Sequence, residues 1–329
     1  MKTPPDVLIA GCEILWDCFP DGNRLGGATF NVAYHLNQLG LSPGIIASVG
    51  RDALGDEALR IIEREWRCAT QWIARRDDVP TGRVNVTLNA HGEPTYDVLA
   101  PAAWDYVDIP PAALADRTCP LLYPSVALRS EFNRAQIRRA LAGYRGLKCF
   151  DANLRPPHNS PATVLEFAKL SDFVKVSESE LKILGEAAGS KETELEARLR
   201  DFSRLIGVNR ICVTRAEHSA LLLNDGGIVY GRVFPTVVKD TVGAGDAFLA
   251  SMMVSLNRPS FDPILALSQA SALGSWVASK AGAQPEYDGT EPLQGDLDCP
   301  PFSRSPNRSL PLMHSNHEKQ FSISKSYAK

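Results

Sequence analysis

Short apolar runs and stretches of helical spacing alternate along most of this chain, divided from one another by turn residues. Val7–Ala10 is an apolar run stopped by Gly11, the pattern of a strand buried on both faces. From Ala28 to Leu39 the apolar positions Phe30, Val32, Ala33, Leu36 and Leu39 keep a helical period, and Gly40 ends it. Ile45–Val49 predicts a second buried strand, and a helix follows from about residue 53 to 65. Further strands are predicted at Leu121–Tyr123, Cys149–Asp151, Phe173–Val176 and Arg210–Thr214, with helical segments near 130–143, 161–170, 178–184 and 192–206 between them. Leu221–Asn224 and Ile228–Tyr230 flank Asp225-Gly226-Gly227, a hairpin signal, and helices of roughly 243–257 and 262–280 close the pattern.

Two stretches break the rhythm. Residues 12–26 mix apolar and turn residues around Asp21-Gly22-Asn23, and Val84, Val86 and Leu88 alternate with polar neighbours as in a half-exposed strand. His91-Gly92-Glu93-Pro94 then makes a turn and Tyr96–Leu99 returns. These segments predict a small β lid, from residues near 12–26 and 69–100, outside the main sheet. The repeated strand–helix units predict an α/β protein: a three-layer αβα domain over residues 1–287 with a mainly parallel central sheet. Residues 288–329, rich in Ser, Pro, Asn and Lys and without a sustained period, predict a poorly ordered tail that carries none of the chemistry.

Composition narrows the classes of partner. Lys and Arg number 35 against 38 Asp and Glu, a net charge of −3, which offers no general attraction to nucleic acid or anionic lipid. The seven cysteines are odd in number, form no CxxC pair and fall partly in strand-like runs, as reduced thiols do. The six His residues lack metal-ligand spacing, so zinc is not expected. Without a basic, apolar leader or a membrane-length apolar run, the expected compartment is the cytoplasm.

The most informative segment is Lys239-Asp240-Thr241-Val242-Gly243-Ala244-Gly245-Asp246-Ala247-Phe248. Two glycines with one residue between them let the backbone approach a ligand, and a helix begins at once. Its first N–H groups lack internal partners, so the corner can hold a phosphoryl group. Asp246 inside such an anion site can accept a proton from an incoming hydroxyl. The plainer alternative is a Gly-rich turn in which Asp246 only complements the helix dipole. There is no GxxxxGK[ST], GxGxxG or HRD motif, so P-loop, Rossmann and protein-kinase classes lose their signatures.

This segment resembles the C-terminal signature of the ribokinase-like carbohydrate kinases, the phosphofructokinase-B type. Gly26-Gly27-Ala28-Thr29-Phe30-Asn31-Val32-Ala33, followed by Leu39-Gly40, resembles that family's first signature, and the likeness spans roughly residues 6–287. It implies a ribokinase-like fold and an ATP-dependent kinase acting on a small-molecule sugar. Asp246 would be the catalytic base, with the N–H groups of Gly243, Ala244 and Gly245 facing the developing charge. Asp17, Gly27 and Asn31 match sugar-contacting positions, although Asp17 also fits a turn and Asn31 a cap. Asp151-Ala152-Asn153-Leu154-Arg155 resembles the fructokinase-like branch; there Arg155 approaches substrate or phosphate, the alternative being a surface arginine. Thr214, Ala216, Ser219, Thr241, Gly243 and Gly245 match nucleotide-binding positions. Glu180 matches a residue that helps hold Mg²⁺ through water, and Ser177 with Glu180 equally spells a capping box. Asp52 fits the family's turn at 51–55 and equally a helix cap. A monovalent cation such as K⁺ is placed near Asp240, and a homodimer through the lids is allowed.

Three positions depart from that pattern. Ala216 and Ser219 replace both glycines of the nucleotide loop, and Pro124 stands where glycine is common. If the two loop positions need positive φ, each substitution costs on the order of 1 kcal/mol. A second hypothesis follows: a family member that has lost efficient catalysis and senses a sugar or nucleotide. Ribose, a 2-keto-3-deoxy sugar acid or a nucleoside stand beside fructose as substrates.

Overall fold

The computed structural model describes residues 4–20, 22–88 and 94–292. In chain order, β1 (Val7–Cys12), β2 (Leu15–Phe19) and β3 (Gly22–Gly26) lead into α1 (Ala28–Gln38). Then come β4 (Pro43–Gly50), α2 (Ala53–Arg60), β5 (Ile73–Arg76), β6 (Gly82–Leu88) and β7 (Pro94–Val98). The short α3 (Pro111–Leu114) precedes β8 (Leu121–Pro124), α4 (Glu131–Gly143), β9 (Lys148–Asp151), α5 (Pro161–Ala168), β10 (Phe173–Ser177), α6 (Glu178–Ala188) and α7 (Leu195–Ile206). β11 (Arg210–Thr214), the hairpin β12 (Leu221–Asn224) and β13 (Gly227–Tyr230), α8 (Ala244–Leu256) and α9 (Pro263–Ala278) complete it.

Nine strands form one sheet in the order β13-β12-β11-β10-β9-β8-β1-β4-β5. Neighbours from β11 through β5 run parallel, and only the terminal hairpin is antiparallel. β1 shows why both faces are covered. Val7 and Ile9 pack into one apolar cluster, with residues of α1, α8 and α9, while Leu8 and Ala10 pack into another, with residues of α4, α5, α6 and α7. Alternate side chains of one strand thus feed opposite cores, and the continuous apolar runs of the sequence are the result. The chain leaves β1 for β4 and β5 on one side and returns to β8 on the other. In such sheets the carboxyl ends of the strands at a reversal of this kind are the usual place for a ligand.

A second sheet, in the order β3-β2-β6-β7, stands apart and is built from the two stretches that break the helical rhythm. One segment assigned to it from sequence belongs elsewhere: β5 pairs in parallel with β4, Ala47 with Ile73 through Gly50 with Arg76, as the edge of the main sheet. Four residues carry too little periodicity to announce which sheet they join. The described chain runs past 287, into the segment expected to be tail. Glu291 is buried, and Trp276 Nε1 donates to Thr290 Oγ1 at 3.3 Å. The rest of the tail expected over 288–329, from residue 293 on, lies outside the described residues, as does the turn at 91–93. Cys12, Cys18, Cys68, Cys119, Cys149 and Cys212 are free thiols. Among the described residues, no helix is long and apolar enough to cross a membrane.

Candidate active site

The site forms where the carboxyl ends of the main-sheet strands meet the start of α8. Gly243 caps that helix with φ +79°, a left-handed value natural to glycine. A Cβ there would lie 2.6 Å from the Ala283 Cα, so packing demands glycine as well. Gly245 differs: a Cβ built on it would meet only the Lys175 ammonium, at 3.8 Å. Its lack of a side chain leaves open space beside a cation, the shape an anion would fill. Ala244 N donates to Thr241 O at 3.3 Å, and no described protein group accepts from the N–H groups of Gly243, Gly245 or Asp246. These amides are the orphan donors at a helix start.

Asp246, on the first turn of α8, accepts a 2.8 Å hydrogen bond at Oδ2 from Asn31 Nδ2. It is partly exposed, yet protein surrounds its carboxyl closely enough that lost hydration pushes the pKa up to about 6; the Asn31 hydrogen bond and the Lys175 and Arg155 charges hold it down, while Asp151 pushes it up. Such a group is ionised at neutral pH and close to optimal as a base.

The glycine turn beside it is held by Glu13. Glu13 is buried, and its carboxylate accepts from Thr29 N at 3.2 Å and from the Thr29 hydroxyl. It therefore caps α1, whose own N-cap, Gly27, has no side chain. Burial pushes the Glu13 carboxyl up to about 7, opposed by the Thr29 bonds. Gly27 has φ +122°, and a Cβ there would lie 2.0 Å from the Glu13 carbonyl oxygen. The Asp17 carboxylate lies over this turn, 2.9 Å from where a Gly26 Cβ would be. Burial raises the Asp17 pKa to about 6 against the pull of Arg24. Asp17, Gly27, Asn31 and Asp246 are thus gathered in one place.

Lys175, which begins the segment carrying Ser177 and Glu180, has no role assigned from sequence. It lies in β10 with only 8% exposure, and its Nζ stands 3.1 Å from Asp151 Oδ1 on the neighbouring β9. Burial opposes its charge, but Asp151, Glu180 and Asp246 outweigh that and hold its pKa above the ordinary lysine value. A lysine inside Phe173–Val176 was the available signal, since a buried ammonium requires a partner. Arg155 is exposed; its N–H donates to Asn159 Oδ1 at 2.9 Å, and its charge reaches Asp246.

Glu180 completes a capping box with Ser177: its Oε2 accepts from Ser177 N at 2.7 Å and its Oε1 from Leu154 N at 2.7 Å. It therefore ties the 151–155 loop to α6. Asp52 likewise caps α2 by accepting from Gly55 N, and it also holds Thr81. Asp240 accepts from Val242 N at 3.0 Å and Gly282 N at 2.9 Å, stapling two loops. The loop carrying Thr214, Ala216 and Ser219 follows β11; Thr214 Oγ1 donates to Val176 O at 3.5 Å. No described hydrogen bond joins it to Asp246. Ala216 has φ +47°, and Ser219 is not among the residues with positive φ. One of the two missing glycines is therefore felt by the backbone and the other is not.

Residues 20–288 match the pfkB family carbohydrate kinase domain. The chain belongs to that family. Among its pfkB relatives, a fructokinase of Klebsiella pneumoniae is 27% identical over 307 residues, covering 85% of this chain and 96% of that protein. An aminoimidazole riboside kinase of Salmonella typhimurium is 28% identical over 277 residues, covering 78% and 83%. The fold is ribokinase-like. A fructokinase from Xylella fastidiosa with bound ATP superposes with a TM-score of 0.74 at 22% identity, covering 85% and 94%. A ribokinase II from E. coli in complex with ATP and Mg²⁺ gives 0.73 at 22% identity, covering 84% and 94%.

Proposed function

We propose that this pfkB kinase transfers the γ-phosphoryl group of ATP to a hydroxyl of fructose or a similar sugar, with Asp246 as the base. One observation carries this most directly: a hydrogen-bonded carboxylate stands in the same helical turn as three N–H groups without a described protein acceptor, beside the buried Lys175 ammonium. The sugar hydroxyl would lie against Asp246, within reach of Asp17, Gly27 and Asn31. As the P–O bond to the leaving diphosphate breaks and the new one forms, the hydroxyl proton passes to Asp246. Gly243, Gly245 and Lys175 face the charge that spreads over the phosphoryl oxygens. The small sheet would act as a lid that keeps water from competing with the sugar.

Asp151 and Glu180, hard carboxylates within electrostatic reach of each other, suit Mg²⁺ held through water, and the ion when bound would neutralise phosphate charge. Asp240 is the candidate for a monovalent ion such as K⁺, although it already serves as a staple. Fructose is favoured by the kinship with fructokinases. The riboside kinase relative keeps a nucleoside-like acceptor open, and the left-handed Ala216 favours a second reading, a sensor that binds nucleotide weakly. A coupled ADP-release assay over a panel of sugars and nucleosides, with Asp246→Asn alongside, decides among them. Sugar-dependent ADP release that drops by about 10³-fold in Asp246→Asn is expected; near-normal turnover by that variant overturns the base assignment, and ATP binding with no release by the parent favours the sensor.

A further inference from the structure

We infer that Gln284 is a positioning residue for phosphoryl transfer: it fixes the amide of Asn31 so that its N–H₂, and not its oxygen, faces Asp246. The inference rests on Asp246 being the base. Gln284 Nε2 donates to Leu25 O at 3.2 Å and to Asn31 Oδ1 at 2.8 Å, and Asn31 Nδ2 donates to Asp246 Oδ2 at 2.8 Å. Asparagine and glutamine amides are nearly symmetric in shape, so only their partners decide which end points where. A backbone carbonyl can only accept. Leu25 O therefore obliges Gln284 to turn its N–H₂ inward, which obliges Asn31 to turn its oxygen toward Gln284 and its N–H₂ toward the carboxylate. The reversed Asn31 would set an amide oxygen against an ionised carboxylate, and Asp246 would lose the hydrogen bond that favours its charged form.

The backbone around Gln284 is pinned on both sides. Ala283 packs on Gly243, and its carbonyl meets His35 Nε2 at 3.0 Å. The Pro285 carbonyl accepts from Tyr34 Oη at 2.8 Å, and Tyr287 Oη lies 2.9 Å from His35 Nδ1. The backbone that carries Gln284 is thereby fixed, and only its side-chain torsions remain to be ordered by these bonds. Leu25 lies in β3, next to the Gly26–Gly27 turn, so the same glutamine ties the small sheet to the orientation of the base.

Two variants of similar length test this. In Gln284→Glu the ionised side chain cannot donate to either oxygen, and Gln284→Met keeps the bulk without polarity. With ATP, Mg²⁺ and D-fructose, kcat is expected to fall by about tenfold or more while the KM for ATP changes by less than about twofold. The acid limb of kcat should move up by about one pH unit, because the charged base has lost a donor. Lys175, Asp151, Arg155 and Glu13, which face Asp246 from β10, β9, the following loop and the chain after β1, are common to parent and variants. A second readout needs no turnover: the Asn31 side-chain N–H₂ resonances of the free protein, assigned by their loss in Asn31→Ala, should titrate with Asp246 and move up in both variants. Within an Asn31→Ala background, Gln284→Met should add little. Variants that melt cooperatively yet keep the parental acid limb and the parental Asn31 titration overturn the inference. A parent without fructose turnover counts instead against the proposed substrate, and the Asn31 titration then decides alone.

Discussion

Gly243 and Gly245 sit two residues apart and are glycines for different reasons. Gly243 is required by the fold: its φ is +79° and Ala283 fills the space a methyl would take. Gly243→Ala is therefore expected to destabilise the protein by more than about 2 kcal/mol, seen as a lower denaturant midpoint. Gly245→Ala meets only the end of Lys175 and adds a better helix former, so its midpoint should be unchanged or slightly higher. Its turnover should nonetheless fall at least about tenfold, because the methyl enters the space before the free amides. An activity equal to the parent would empty that corner of its assigned role. Asp246 makes a further prediction. Its pKa lies near 6, and only the ionised form accepts a proton. In a profile of kcat/KM against pH, which reports the free enzyme, activity should be full above about 7 and fall tenfold per unit well below 6, in a direction that a group needed protonated would reverse.

At the scale of the element, the loop after β11 offers the cleanest test of a departure from the family pattern. Ala216 holds φ +47°, a conformation that disfavours any Cβ. Ala216→Gly is expected to raise stability by on the order of 1 kcal/mol, read from the denaturant midpoint, and to tighten ATP binding by calorimetry; Ser219→Gly, at a position without positive φ, should lower stability slightly. The sequence announced this loop but not which replaced glycine would matter, since φ is a property of the folded turn. Long periodic elements such as α1 and α9 were legible because their faces pack on one core. β5 was not, because its place depends on pairing with β4 and not on its own four residues. The site divides in the same way. Gly27, Asn31 and Asp246 stand at or within the first turn of helices that open on a glycine, and that glycine is legible in the sequence. Lys175 looks like an irregularity in an apolar strand until β9 brings Asp151 alongside. Glu13 and Gln284 carry no local pattern whatever, since each acts on a residue remote in sequence.

For the whole molecule, a buried ion pair joins the segment that follows β7 to the segment that follows β8. Arg129 donates to Asp105 through Nε at 2.5 Å and Nη2 at 2.8 Å, donates to Leu99 O at 3.4 Å, and lies 3.6 Å above the Trp104 ring. Both charged side chains are almost fully enclosed, at 7% and 9% exposure. Arg129→Met strands the Asp105 carboxylate and should cost roughly 3–5 kcal/mol in equilibrium unfolding, whereas the double replacement with Asp105→Leu should recover much of the loss. A single variant of parental stability would remove the pair from this role. The bond between Asn31 and Asp246 spans 215 residues, and the one between Gln284 and Asn31 spans 253. During synthesis on the ribosome, the first of these groups leaves the exit tunnel long before its companions exist. A nascent chain halted short of residue 284 would already carry both glycine-marked segments and still lack the donor to the Asn31 amide oxygen, so on the proposed reading the two motifs alone do not make a competent site.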